Sequence, residues 1–201
     1  MTSAADFASS YRTGYGELVE PGSLQFVRLL PGPIERVWSW LADSDKRAQW
    51  LAAGDLPPQS GMPFDMYFDH ASLTPDDVPA PERFRHEGGA IRTGHRLLRC
   101  EPPRVLVTSW GGVNEELSEV TFELSPQGDQ VRLVLTHRRL ARPATVLSVS
   151  GGWHTHLAVL QAKLAGRTPA PFWTMHQELE QDYAARLSQA ASDAAPGDGP
   201  A

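Results

Sequence analysis

Seven histidines, one cysteine and a few glycine pairs are the residues of this chain whose types could do chemistry. His154 and His156 stand close together in the run Gly152-Trp-His-Thr-His-Leu157. On a helix, positions two apart project roughly 200° from one another, so this pair cannot close on one metal ion. The helical pair of metalloproteases sits four apart. With Trp153 turned inward, His156 falls beside it and His154 toward solvent. His70, His86, His95 and His176 form no cluster in sequence. Cys100 has no cysteine partner, which leaves it a small buried thiol rather than a redox or metal group. No metal and no cofactor are expected.

Nucleophilic and phosphate-binding motifs are also missing. Gly-x-Ser-x-Gly does not occur, and the serines of Ser148-Val-Ser-Gly-Gly152 lie at a helix start rather than in a strand-to-helix elbow. The glycine pairs beginning at Gly88, Gly111 and Gly151 follow neither the dinucleotide fingerprint nor the P-loop spacing. Glu115 and Glu116 are adjacent, face opposite ways and read as solvated turn residues. His137 differs, because it ends the inward series Val131, Leu133, Leu135, where an apolar residue is the default. It is either a satisfied core histidine near the sheet rim or a polar group at the mouth of a pocket. Leucine would suit the same face.

The elements that must position these residues follow from periodicity. Ser23–Leu30 predicts a strand with Leu24, Phe26 and Leu30 on one face, interrupted by Arg28. Pro33 opens a helix over Ile34–Ala42, with Ile34, Val37, Trp38 and Leu41 at helical spacing. A second short helix is expected over 45–52. Phe64, Met66 and Phe68 alternate with Asp65, Tyr67 and Asp69 as a half-buried strand. A long loop spans 74–89. Ile91–Cys100 is extended, with Gly94 marking a bulge or a close backbone approach. Strands over 104–110, 119–124 and 131–137 are separated by Gly111–Gly112 and by the turn at Ser125–Gln130. Such short connections favour an antiparallel meander. A helix starting between Pro143 and Val149 runs to about Ala165. Its stripe is Val149, Trp153, Leu157, Leu160 and Leu164, with Gly151 and Gly152 kept for close approach to the sheet. A terminal helix follows, with Phe172, His176, Leu179 and Tyr183 on one face; it docks on the domain or makes a homodimer.

At 201 residues, 41% hydrophobic and 21% charged, the chain has the composition of one ordinary globular domain. Residues 1–20 read as a flexible N-terminal arm, 21–189 as the domain and 190–201 as a disordered tail. A formal net charge of −6, with scattered arginines and only Lys46 and Lys163 as lysines, argues against a nucleic-acid partner. The absence of a signal peptide and of a long apolar run argues against a membrane and for a cytoplasmic location.

Five segments, in order, resemble one family. They are Pro33-Ile-Glu-Arg-Val-Trp38, Cys100-Glu-Pro-Pro-Arg-Val-Leu-Val-Thr-Ser-Trp110, Ser118-Glu-Val-Thr-Phe-Glu-Leu124, Val131-Arg-Leu-Val-Leu-Thr-His137 and Gly152-Trp-His-Thr-His-Leu157. Together they look like the bacterial branch of the heat-shock-protein-90 ATPase activator homologue (Aha-type) family, in the START-like SRPBCC superfamily. The resemblance covers roughly 23–187. It implies an α+β helix-grip fold related to Bet v 1-like proteins, with a curved antiparallel sheet wrapped around a long C-terminal helix. A cavity between sheet and helix would hold a small apolar or aromatic ligand. Its expected walls are Phe68, Trp110, Phe122, Leu133, Leu135, His137, Trp153 and Leu157. Two alternatives stand beside this binding role. A cyclase- or aromatase-like enzyme would need a convergent acid–base pair, and the pattern offers one inward histidine. A chaperone partner follows from the family name alone.

Overall fold

Alternating strands joined by short turns have to pair with their sequence neighbours, and five of the six strand pairings among the described residues follow from that rule. In the computed structural model, residues 11–75, 78–85, 90–111 and 117–194 are described. The strands are β1 (Glu17–Glu20), β2 (Ser23–Pro31), β3 (Pro63–Phe68), β4 (Ile91–Glu101), β5 (Val105–Trp110), β6 (Ser118–Gln127) and β7 (Gln130–Arg138). The helices are α1 (Ile34–Ala42), α2 (Ser44–Arg47), α3 (Pro143–Leu164) and α4 (Phe172–Ala194), with single 3-10 turns at His70–Ser72 and Glu82–Phe84. One curved antiparallel sheet results, in the order β1-β2-β7-β6-β5-β4-β3. The β6–β7 hairpin closes through Gly128 and Asp129, with Gln127 opposite Gln130. Gly128 takes φ 64°, which a glycine adopts without steric penalty. The exception to nearest-neighbour pairing is β2: α1 and α2 carry the chain from it across to the far edge strand β3, and β7 returns to lie beside it.

That return builds the core. Leu24, Phe26, Arg28 and Leu30 of β2 face His137, Leu135, Leu133 and Val131 of β7, which in turn face Val120, Phe122 and Leu124 of β6. All are buried. Arg28 stays on this inner face at the edge of the apolar series, where its Nη1 donates to the carbonyls of Gly14 (2.6 Å) and Val27 (3.0 Å).

Helix α3 has no solvent face along its middle. From Ser150 to Leu160 every residue is buried except Gly152, although a single stripe was expected. The sheet covers one side, and α4 covers the other with Phe172, Trp173, Met175, His176, Leu179 and Tyr183, all buried. His154 is therefore not turned to solvent. It is 1% exposed, and its Nδ1 lies 3.0 Å from the Tyr183 hydroxyl. Gly151 serves helix–helix contact rather than helix–sheet contact: a Cβ there would lie 3.5 Å from Cβ of Glu180 on α4. A Cβ on Gly152 would meet nothing within 4 Å.

Further segments differ from the sequence reading. Within the span read as an arm, Glu17–Glu20 pairs with β2, and residues 11–16 lie on α4. Tyr11 donates to Glu178 and Tyr15 to Asp182, each at 2.6 Å, and the Gly16 N–H donates to the Tyr183 hydroxyl at 2.6 Å. Isolated tyrosines and a short polar strand carry no periodic signal, so only their partners reveal them. Helix α4 runs to Ala194, past the expected domain end at 189. The second short helix stops at Arg47, whose side chain folds back onto the end of α1. Its Nη1 donates to the carbonyls of Leu41 (2.9 Å) and Ala42 (3.0 Å). Gly94 pairs regularly with Asp65, and a Cβ there would meet nothing within 4 Å; the bulge falls between Leu97 and Arg99. His86, Gly88, Gly112, Glu115 and Glu116 lie outside the described residues. No helix among the described residues is long and apolar enough to cross a membrane.

The cover supplied by α4 gives a direct test. Each large side chain it buries contributes about 1.5–3 kcal/mol, and together they rival the roughly 5–15 kcal/mol that holds a whole domain folded. Ending the chain at Gly166 is expected to abolish cooperative unfolding, followed by circular dichroism on heating. A two-state transition at the full-length temperature would show that α4 is dispensable.

Candidate functional site

Gly152 marks a gap. Where α3, α4 and the β3–β5 end of the sheet diverge, a cavity of about 240 Å³ remains. Helix α3 lines it with Ser148, Val149, Gly152, Trp153 and His156, and α4 with Phe172, Trp173 and His176. The sheet adds Phe68, Ile91, Thr93 and Trp110, and the two 3-10 turns add His70 and Phe84. The missing side chain at 152 leaves space on α3, and the rings around it are too large and too rigid to collapse into it.

The walls are mostly aromatic. Trp110 and Trp153 lie 4.7 Å apart between ring centroids, and Phe68 meets Trp110 edge-on at 5.9 Å. Phe84 stacks on Trp173 at 5.2 Å. His70 sits among Phe172 (5.1 Å), Trp173 (5.2 Å) and His156 (5.5 Å). Phe68, His70, Phe84, Ile91 and Trp173 also border a surface groove that carries Asp69 and Arg85, so the charges stand at the mouth rather than inside. No Asp, Glu, Lys or Arg is among the described residues that line the cavity.

His156 is held by the segment after α2. Its ring Nδ1 is 2.6 Å from the Trp50 carbonyl, which can only accept, so the proton sits on Nδ1. Trp50 is itself fixed by its indole N–H, which donates to the Trp40 carbonyl at 2.8 Å. Burial first, and the neighbouring His70 second, push the His156 pKa down to about 3. On the α4 wall, His176 is 4% exposed, and its Nδ1 is buried without a hydrogen-bond partner. Burial lowers its pKa too, opposed by Glu180.

Three of the expected wall residues, Phe68, Trp110 and Trp153, line the cavity. Phe122, Leu133, Leu135, His137 and Leu157 do not; they fill the core where the middle of the sheet meets α3. His137 is the satisfied histidine of the two readings. The Trp153 indole N–H donates to its Nδ1 at 3.0 Å, which places its proton on Nε2, and Nε2–H donates to Ser118 Oγ at 2.8 Å. Ser118 passes its own proton to the Trp110 carbonyl at 2.7 Å. Burial pushes the His137 pKa down to about 4. Strand alternation shows which face a residue takes but not how far along that face the helix reaches, and His137 falls under Trp153.

His70, His156 and His176, scattered in sequence, converge on this cavity. Two signals could have found it: an unfavourable Gly152 inside a helix, read above as close approach to the sheet, and the aromatic rings at Phe172 and Trp173. Among the described residues, no three His, Cys, Asp or Glu side chains gather to hold a metal ion.

The family described as activator of Hsp90 ATPase homolog 1-like protein matches residues 31–165. No curated protein matches the chain. Among solved structures, the solution structure of the protein encoded by gene BPP1335 from Bordetella parapertussis is 58% identical. It aligns over 87% of this chain and 91% of that one, with a TM-score of 0.75. CalU16 from Micromonospora echinospora is 23% identical over 83% of this chain and 88% of its own, TM-score 0.58. Protein MLL2253 from Mesorhizobium loti is 21% identical over 74% and 99%, TM-score 0.54. The latter two share the fold.

The buried rings make stability depend on pH. His137, His154 and His156 have folded pKa values of about 4, 3 and 3, against about 6.5 in the unfolded chain. Between pH 6.5 and 4 the unfolded state takes up protons that the folded state refuses, so stability rises with pH through this window and levels off above it. Each ring contributes at most about 1.4 kcal/mol per pH unit. Urea midpoints are expected to fall between pH 7 and pH 5, before the carboxylates titrate; equal midpoints would mean that these rings are not buried neutral. His137→Leu is expected to lower stability by about 1–3 kcal/mol, because it leaves the Trp153 indole N–H buried and unpaired. An unchanged urea midpoint would rule that out.

Proposed function

The chain belongs to the activator of Hsp90 ATPase homolog 1-like family, and from that premise we propose that it binds a small neutral aromatic molecule in the cavity between α3, α4 and the β3–β5 end of the sheet. The carrying observation is the cavity itself: about 240 Å³, walled by six phenylalanine and tryptophan rings with three histidines. At interior packing density, about 0.75, that space holds about 180 Å³ of atoms, the bulk of a two- or three-ring compound. Flat rings meeting edge-on and stacked neighbours suit another flat ring. The lining carries no lysine, arginine or carboxylate among its described residues, so a charged occupant would lose its hydration without a counter-charge.

A second reading, catalysis of a proton transfer on the bound molecule, is favoured by the 5.5 Å approach of His70 to His156. It needs an acid and a base of separated pKa within reach of one substrate.

Gly152 allows the binding reading to be tested without touching a packed residue. N-phenyl-1-naphthylamine, a neutral fluorophore, is expected to bind the wild-type chain saturably. Gly152→Leu should abolish that binding while keeping or raising the melting temperature, since it fills the cavity and removes a helix glycine that is unfavourable by about 1 kcal/mol. Full binding by Gly152→Leu would place the probe elsewhere, and no binding by the wild type would sink the reading.

A further inference from the structure

One polar atom on the cavity wall has a fixed hydrogen-bonding sense. Because Nδ1–H of His156 is committed to the Trp50 carbonyl at 2.6 Å, Nε2 carries the ring's lone pair and can only accept. No protein donor among the described residues reaches Nε2, and unlike Nδ1 of His176 it is not sealed off from the cavity space. The wall around it is largely aromatic: Phe172 packs against the His156 ring at 4.9 Å, His70 lies 5.5 Å from it, and Trp153 stands three residues before it on α3. A water molecule seeks two to four polar partners, so a mostly aromatic chamber holds it poorly. An apolar ring carrying one donor fits both the walls and the acceptor.

Resting on the aromatic-binding reading above, we infer that the occupant is a neutral phenol-type molecule whose hydroxyl donates to Nε2 of His156 while its ring packs among Phe172, Trp173 and Trp110. Burial keeps the His156 ring neutral and therefore accepting. A carboxylate in the same place would face a lone pair with no lysine or arginine among the described lining residues, and an aryl ether would leave Nε2 unpaired. A site built to pair with a hydroxyl rejects the analogue that lacks it more strongly than an apolar site rejects a change in size. The segment from Arg47 to Trp50 acts on this choice from outside, since it holds the carbonyl that sets the tautomer.

Isothermal titration of the wild-type chain with 1-naphthol, 1-methoxynaphthalene and 1-naphthoate separates the outcomes. Naphthol is expected to bind about tenfold more tightly than the methyl ether, the worth of one hydrogen bond, with naphthoate weakest. In His156→Phe, which keeps an aromatic ring, the naphthol advantage should disappear while the ether binds as before. Should that variant not fold, ¹⁵N-histidine spectra of the wild type give the same answer. The His156 Nε2 resonance should move on adding naphthol and stay on adding the ether. Equal affinities of naphthol and ether, or tightest binding of naphthoate, would overturn the hydroxyl inference and leave the aromatic cavity standing. Failure of all three to bind would overturn both.

Discussion

The constraint on which the rest of the structure depends is that the middle of α3 is enclosed on every side. A helix with no face toward water must satisfy each polar side chain internally or leave it unpaired at a cost of about 1–3 kcal/mol. The solutions are local and specific. Ser150 and Thr155 hydrogen-bond the carbonyls of Val146 and Gly151 one turn earlier, at 2.7 and 2.8 Å. The Trp153 indole N–H donates to His137 Nδ1, and the His156 Nδ1–H donates to the Trp50 carbonyl. His154 pairs with Tyr183 of α4, which also takes the Gly16 N–H of the N-terminal segment. The partners outside α3 come from different parts of the chain, so enclosing one helix fixes the placement of β7, the segment after α2, α4 and the residues before β1.

The same enclosure explains why the histidines here are neutral. Taking an imidazolium out of water is unfavourable unless a carboxylate accompanies it, and among the described residues the carboxylates of α4 are engaged by other partners, Glu180 by Arg83. Glu178 and Asp182 pair with Tyr11, Arg12 and Tyr15 at the surface. Inside, the rings serve as fixed donors and acceptors rather than as charges. His137 and His156 carry their protons on opposite nitrogens because one receives an indole N–H and the other faces a carbonyl. That difference sends His137 into the core network and leaves His156 with an acceptor at the cavity.

Arg47 supports the cavity from outside its lining. The residue is 2% exposed and forms no ion pair with a carboxylate among the described residues; its guanidinium donates instead to the carbonyls at the end of α1 and to Gly54. This ties the end of α1 to the loop that delivers Trp50 under α3. Gly54 is required there: at φ 128° a Cβ would collide with the Asp65 carbonyl oxygen. The cavity is thus bounded on its inner side by a rigid assembly, while its mouth lies beside the 3-10 turns of the connection between β3 and β4.

The order of elements from β2 onward and the antiparallel pairing were legible in the sequence, because hydrophobic period and turn residues are local properties, and the family was legible from the five segments that resemble it. Alternation and helical spacing also set which side of an element Phe68, Trp110 and Trp153 occupy. Neither property reports what lies opposite. His137 and Leu157 share faces with true wall residues, yet they sit where helix and sheet touch; Gly152 and His156 sit where they part. The burial of His154, the role of Gly151 against Glu180 and the convergence of His70, His156 and His176 depend on α4 and on connections many residues away. Sequence determined which faces are apolar. Only tertiary packing decided where those faces close on each other and where they leave room, because the distance between two packed elements depends on both surfaces at once.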